Sequence, residues 1–396
     1  MCRKKQEPPF LKRLREKQEA TSKLDVAPEV RTGWLHRFAD WLDGWHLTRI
    51  FQAFGSFLLV LTLIGFYIDY HDRQEERKAR QEEREQRALD RELAQEEREA
   101  RGLSEIASAW QILTTKALGN SGKIEAMNFL VTKEIPLVGI NLSPQNKFDE
   151  GAYLFGANLK SSNLEKAKLK KAVLATANLE NARLVFSDLE GAILFGANLQ
   201  NAKLHDGNML DAKLPYANLS GAIMENVNLQ KAVLNGTTFH KVRLTNSMLV
   251  LVKAKDADFS NSDISDSDFE MAQLSRSNFS GVTGYSTNLR RAQLDDTNFE
   301  NAELTGANFE VSNLQRANFT NAGLMGAKFA GANLQKANLE EANLHLIDFT
   351  FADLSGAILY GAQNLICPAL RVADNWEKSY RDKELACGAP IPKRPK

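Results

Sequence analysis

The feature that most constrains this chain is a five-residue period running without insertion from Ala152 to about Ala362. It is plain in Ala157-Asn158-Leu159, Ala177-Asn178-Leu179, Ala197-Asn198-Leu199, Ala307-Asn308-Phe309 and Ala332-Asn333-Leu334. Every fifth residue from Leu154 to Leu359 gives 42 large positions: 28 Leu, nine Phe, two Met, and single Ile264, Ala254 and Gly284. The position two residues earlier is small, with 26 Ala and seven Ser. A period of five fits neither the roughly 3.6-residue repeat of a helix nor the alternation of a strand. The chain must therefore turn at every unit and send one large and one small side chain inward each time.

The phenylalanines set the number of units per coil. Phe239, Phe259, Phe279, Phe299 and Phe319 lie 20 apart, Phe269, Phe309, Phe329 and Phe349 fall on the series offset by ten, and the other two series hold none. Four units per coil stack these rings along two opposite sides of a square prism, at about the 4.8 Å spacing of strands, and leave Leu to the other two sides. Where the large position shrinks to Ala254 or Gly284, the small one grows to Val252 or Val282, which returns part of the lost core volume.

These units resemble the pentapeptide-repeat family, whose pattern is A-(D/N)-(L/F)-x-x, over Ala152 to about Ala362. The resemblance implies a right-handed four-sided β-helix. The expected fold is mainly β: a right-handed quadrilateral β-helix, a pentapeptide-repeat solenoid, preceded by a transmembrane helix and a charged α-helical stalk. The stretch around Trp110 to Lys123 and the Cys-Gly-Ala-Pro tail also look like the flanks of membrane-associated bacterial members. Some members of the family look like duplex DNA to type II topoisomerases through acidic residues along the rod. The resemblance therefore brings in mimicry of nucleic acid as a rival function.

Ahead of the repeat, Ile50 to Ile68 are 19 residues without a charge. As a helix they would extend ~28 Å, about the thickness of a bilayer's hydrocarbon core. Upstream, Trp34, Leu35, Phe38, Trp41, Leu42 and Trp45 share one helical face, which suits a membrane interface or the seam of a partner helix. No small-residue cleavage site follows the apolar run, so a removed signal peptide is not expected. The 20 residues before the run hold three Lys/Arg and the 20 after it hold six, which favours a cytoplasmic C-terminal region; whole flanks, eleven against ten, blunt that preference. Residues 72–101 carry nine basic and eleven acidic side chains with no Pro or Gly, the composition of a solvated helical spacer with Glu76/Arg80, Glu83/Arg87 and Glu97/Arg101 four apart. The expected division is a basic tail 1–46 with an interfacial helix 34–45, a span 47–69, a spacer 70–102 and a neck of two short helices 103–150. The β-helix 151–362 and a C-terminal cap and tail 363–396 follow.

No catalytic, metal or cofactor constellation is expected. Gly119 to Lys123 lacks the first Gly of a phosphate loop, Asp256-x-Asp258-x-Ser260 lacks the Gly and Glu of a calcium loop, and the six His are scattered. The formal net charge is zero, with 50 Lys+Arg against 50 Asp+Glu, which argues against a nucleic-acid coat. Charge is nevertheless uneven along the repeat: Gly151 to Lys255 hold 13 Lys/Arg and seven Asp/Glu, and Asp256 to Ala362 hold six and 15. Asp256, Asp258, Asp263, Asp266, Asp268 and Glu270 open the acidic half and form the candidate interaction patch. Of three cysteines, Cys367 and Cys387 lie 20 apart in the tail, either as buried thiols or as a disulfide if the rod lies outside the cytoplasm.

The function expected is a non-enzymatic, single-pass scaffold or protein-interaction protein at a bacterial inner membrane. Its partners are the lipid bilayer and a protein, with no nucleic acid or small-molecule substrate, and the repeat lies on the cytoplasmic side. A nucleic-acid mimic bound to a topoisomerase-like or other DNA-binding protein is the alternative. It requires a continuous acidic face when charges are mapped by residue number modulo 20.

Overall fold

A computed structural model describes residues 55–115, 122–144 and 151–393. The interfacial helix expected over 34–45, and the first residues of the apolar run at Ile50, lie outside the described residues. Two compact units divide at Gln95 and Glu96. Helix α1 spans Gly55–Thr114, 60 residues. Among the described residues no helix is long and apolar enough to cross a membrane.

Along 61–101 the surface of α1 is almost wholly exposed and ion pairs brace it, with Arg73 to Asp69 at 2.6 Å, Arg80 to Glu76 at 3.0 Å and Arg101 to Glu97 at 3.5 Å. Arg87 and Glu83 form a further pair. The neck differs from two short helices: α1 runs on through Gly102, and a separate α2, Lys123–Thr132, follows. One glycine costs a helix only ~1 kcal/mol against alanine, less than is regained when Ala109 and Leu113 are buried against the core.

From residue 151 the chain coils with four five-residue sides per turn. Each outward residue bridges in parallel to the residue 20 later, from Tyr153↔Val173 to Asn343↔Gln363. Four ladders result. The first side carries the Tyr153 series, the second the Asn158 series, the third the Asn163 series and the fourth the Lys168 series. Between sides the chain makes a tight turn, closed for example by the Ala157 N–H donating to the Leu154 carbonyl at 3.1 Å. Its third residue has positive φ, as in a type II turn. That position accepts even the β-branched Val311, at φ 60°, because inter-coil hydrogen bonds fix the backbone on either side.

The interior is a single core in which the large positions from Leu154 to Leu359 are fully buried. At Gly284 the side chains of Ile264 and Leu304, from the coils on either side, close over the missing side chain. Filling there comes from above and below as well as from Val282. At seven of the ten small positions that are Ser or Thr the hydroxyl bridges coils; those of Ser162 and Ser312 donate within their own turn, to Leu159 and Phe309, and that of Ser187 has no partner among the described residues. Ser247 Oγ accepts from the Val227 N–H at 3.0 Å and donates to the Met224 carbonyl at 2.8 Å, so it stands inside the turn of the neighbouring coil. Outside, Asn side chains run in ladders, with Asn318 Nδ2 donating to Asn298 Oδ1 at 2.9 Å.

Both ends of the stack are covered. At the N-terminal end the segment from Leu137 to Leu142, which turns at Val138 and Gly139, pairs onto the first coil, and Met127, Leu130 and Leu113 seal it. At the C-terminal end helix α3, Cys367–Arg371, and two short 3-10 turns, Trp376–Lys378 and Lys383–Leu385, close the last coil. Cys367 and Cys387 are joined by a disulfide with Cα atoms 5.5 Å apart. Arg381 is buried at 1% exposure and donates to the carbonyls of Leu385, Trp376, Glu377, Ser379 and Pro390. Its guanidinium also stands over the Trp376 ring, 5.0 Å from the centroid.

Candidate interaction surface

The nine phenylalanines stand together in the interior, where no ligand can reach them. Phe239 to Phe259 and Phe259 to Phe279 stack at 4.6 Å between centroids, and Phe299 to Phe319 at 4.8 Å. On the opposite side Phe309 stacks on Phe329 at 4.7 Å, while Phe329 and Phe349 are tilted at 5.7 Å and Phe269 is separated from Phe309 by Leu289. The surface available to partners is therefore the four ladders and the turns between them.

The six acidic residues of the candidate patch do not share a face. Asp256 stands at the turn between the first and second sides, Asp258 on the second ladder and Asp263 on the third. Asp266 follows at the next turn, Asp268 on the fourth ladder, and Glu270 at the turn back to the first side. They belt one coil because the chain turns a corner every five residues; residues 20 apart are neighbours on a side, whereas residues five apart are not. Several of the six are engaged. Asp256 accepts both forks of Arg276 at 2.7 Å, Glu270 accepts Arg290 at 3.0 Å, and Asp258 and Asp268 accept Asn278 and Asn288 at 3.0 and 2.8 Å.

Pairs 18 or 20 apart brace other coils in the same way. Arg316 holds Asp296 with two hydrogen bonds of 2.6 Å and keeps its carboxyl below the usual range. Glu190, 2.6 Å from Lys170, raises that amine. Arg183 at 2.8 Å lowers Glu165.

Mapped by side, the acidic half shows an asymmetry that reading along the chain misses. All six of its Lys and Arg, residues 276, 290, 291, 316, 328 and 336, lie on the fourth ladder or on the turns flanking the first side. The third side and its flanking turns carry Asp263, Asp266, Glu300, Glu303, Glu340 and Glu341 and no Lys or Arg. The signal was available in the residue numbers modulo 20. These acids occupy alternate coils, so they do not make a continuous acidic face.

The described residues hold no group of three or more His, Cys, Asp or Glu placed to bind a metal ion. A cleft of about 370 Å³ lies at the neck against Lys160 to Asn163, and another of about 340 Å³ lies between α1 and α2. Neither gathers a set of catalytic side chains.

A pentapeptide repeat region matches residues 222–299, and pentapeptide repeats in eight copies match 157–195, 172–209, 192–230, 292–331 and 324–363. The chain belongs to the pentapeptide-repeat family. Among solved pentapeptide-repeat structures it is similar to HetL, involved in heterocyst differentiation regulation in the cyanobacterium Nostoc sp. strain PCC 7120. The identity is 26% over 59% of this chain and 94% of that one, with a TM-score of 0.37. Full-length QnrB1, a plasmid-mediated fluoroquinolone resistance protein, is 15% identical over 54% of this chain and 93% of its own, with a TM-score of 0.21. A pentapeptide repeat protein from the thylakoid lumen of Arabidopsis thaliana is 25% identical over 28% and 64%, with a TM-score of 0.16. The comparison with curated proteins gives no match.

Proposed function

We propose that the protein is a non-enzymatic scaffold, anchored in a bacterial inner membrane by one helix over residues 47–69, whose pentapeptide-repeat β-helix binds other proteins. One observation carries the scaffold reading: the interior is filled by the chain's own Leu, Phe and Ala, while the exterior is a braced array of polar ladders. A surface of that kind recognises an extended partner by shape and charge and gives a small substrate no enclosed site. The anchor rests on the uncharged run Ile50 to Ile68.

The disulfide between Cys367 and Cys387 bears on the side of the membrane. Cytosolic thiols are held reduced, and bonded cysteines belong to oxidising compartments. The pair supports a reading in which the β-helix lies outside the cytoplasm, opposite to the side that the adjacent charges favour, since that charge preference nearly vanishes over whole flanks. That placement also removes it from DNA-binding enzymes, and acids on alternate coils fit a mimic of the evenly charged duplex poorly. The test is labelling of Lys213→Cys, on the exposed first ladder and in a Cys2→Ser background, by a membrane-impermeant thiol reagent. Labelling in intact cells with a permeabilised outer membrane is expected. Labelling only after lysis would place the β-helix in the cytoplasm and return mimicry to contention, and recovery of the protein in the soluble fraction would end the anchor.

A further inference from the structure

On the third ladder every cation precedes every anion. Arg183, Lys203 and Arg243 stand on one half, and Asp263 and Glu303 on the other, bridged into one row through Ile223 and Thr283. A row whose charge inverts about its midpoint is complementary to itself when turned end for end. Rotation by 180° about an axis that crosses this side between Arg243 and Asp263, at right angles to the stack, sets Arg243 opposite Asp263 and Lys203 opposite Glu303. It also sets Ile223 opposite Thr283.

The flanking turns bring no like charges together, although Glu165, Glu180 and Glu225 on them already pair with Arg183, Lys160 and Arg243, which leaves Lys203 as the cation that the register opposes most directly to an anion. The same rotation places Lys160 opposite Glu340, and the exposed Phe186 opposite Gly326 beside Met325. On this side and its turns no Lys or Arg meets another and no Asp or Glu meets another. Glu303 leans over Gly323, where any Cβ would collide with its carboxylate. That brings the carboxylate between the positions opposite Lys203 and Arg183.

The fourth side discriminates. Turned about its own midpoint it pairs Lys168 with Asp348 and Asp188 with Lys328, but it drives Lys231 against Arg290 and Arg291. Like charges brought together across an interface cost several kcal/mol, enough to exclude that arrangement.

We infer that the third side binds the third side of a second copy of this chain, antiparallel and in the register that opposes Lys203 to Glu303. The contact is isologous, since each copy offers the same strip. Ten coils at about 4.8 Å give that strip a length of ~45 Å. It is independent of any other partner that the β-helix holds.

The test uses the full chain in mild detergent, with mass by light scattering across a concentration series at low and high salt. A dimer that weakens with salt is expected. Lys203 and Glu303 are both exposed, so Lys203→Glu and Glu303→Lys leave the fold intact, as circular dichroism will check. Each creates two like-charge oppositions per pair and weakens the dimer about 100-fold. The double variant K203E/E303K restores it, and an equimolar mixture of the two single variants restores it as a heterodimer. In a Cys2→Ser background, a Lys203→Cys chain mixed with a Glu303→Cys chain crosslinks on oxidation. A monomer at all concentrations overturns the pairing, whether or not it captures a basic protein instead. A dimer indifferent to both single variants, or single variants that the double does not rescue, overturns it equally.

Discussion

Phe259 meets Phe269 edge to face across the interior, with ring centroids 5.9 Å apart and planes at 85°. The two aromatic columns are thus one network. Phe279 closes on the other edge of Phe269 at 6.2 Å, and Phe299, Phe309, Phe319 and Phe329 repeat the zigzag at 5.7 to 5.8 Å. An edge-to-face pair places the positive rim of one ring on the negative face of the next and adds about 0.5–1.5 kcal/mol to the area buried.

Phe259 has ring contacts with Phe239, Phe279 and Phe269, whereas Phe239 has one, with Phe259. Phe259→Leu should therefore cost about 2–3 kcal/mol and Phe239→Leu about 1 kcal/mol. Denaturant unfolding checks the difference. Equal losses would mean that only volume matters in these columns.

The C-terminal cap depends on a buried cation. Five carbonyls converge on Arg381, whose guanidinium is held below its usual pKa by burial, with Glu377 acting the other way. Arg381→Met takes the guanidinium from all five carbonyls, of which that of Trp376 keeps Ser379 as a donor, and should cost about 3 kcal/mol. Hydrogen exchange should show faster opening of residues 374–393 in that variant, and again in the native chain after reduction of Cys367–Cys387. Unchanged protection in both would show that neither group fastens the tail.

Acid should loosen the coil junction at Arg316. Pairing with Arg316 depresses the Asp296 carboxyl in the folded state, so its contribution is complete above the unfolded value of about 3.9 and is lost as pH falls through the lower folded value. Comparing the acid limb of stability for the native chain and Asp296→Asn isolates this pair. The native chain should lose its advantage only below about pH 4.

Gly102 lies within α1 with nothing in the space where a Cβ would sit. Gly102→Ala should raise helix stability by about 0.5–1 kcal/mol, read as slower amide exchange around residues 98–106. A loss of stability would show that this glycine serves a bend.

The coil follows from the order of residues alone. The alternation of large and small residues every five positions left one way to bury them, and the 20-residue spacing of Phe239 to Phe319 counted the sides because identical rings stack only when they recur at the same corner. That order could not set the direction of the rings across the core. Edge-to-face packing of Phe259 on Phe269 depends on the width of the prism. The continuity of α1 through Gly102 and the sealing of the first coil by Leu137 to Leu142 were likewise illegible, since tertiary burial outweighed a weak helix breaker and that segment does not keep the repeat phase. At the surface, adjacency along the chain grouped Asp256 to Glu270 into a patch. The coil distributed them around four sides and instead aligned Arg183, Lys203 and Arg243 with Asp263 and Glu303, because in a solenoid neighbourhood is set by the hydrogen-bonded ladder between coils.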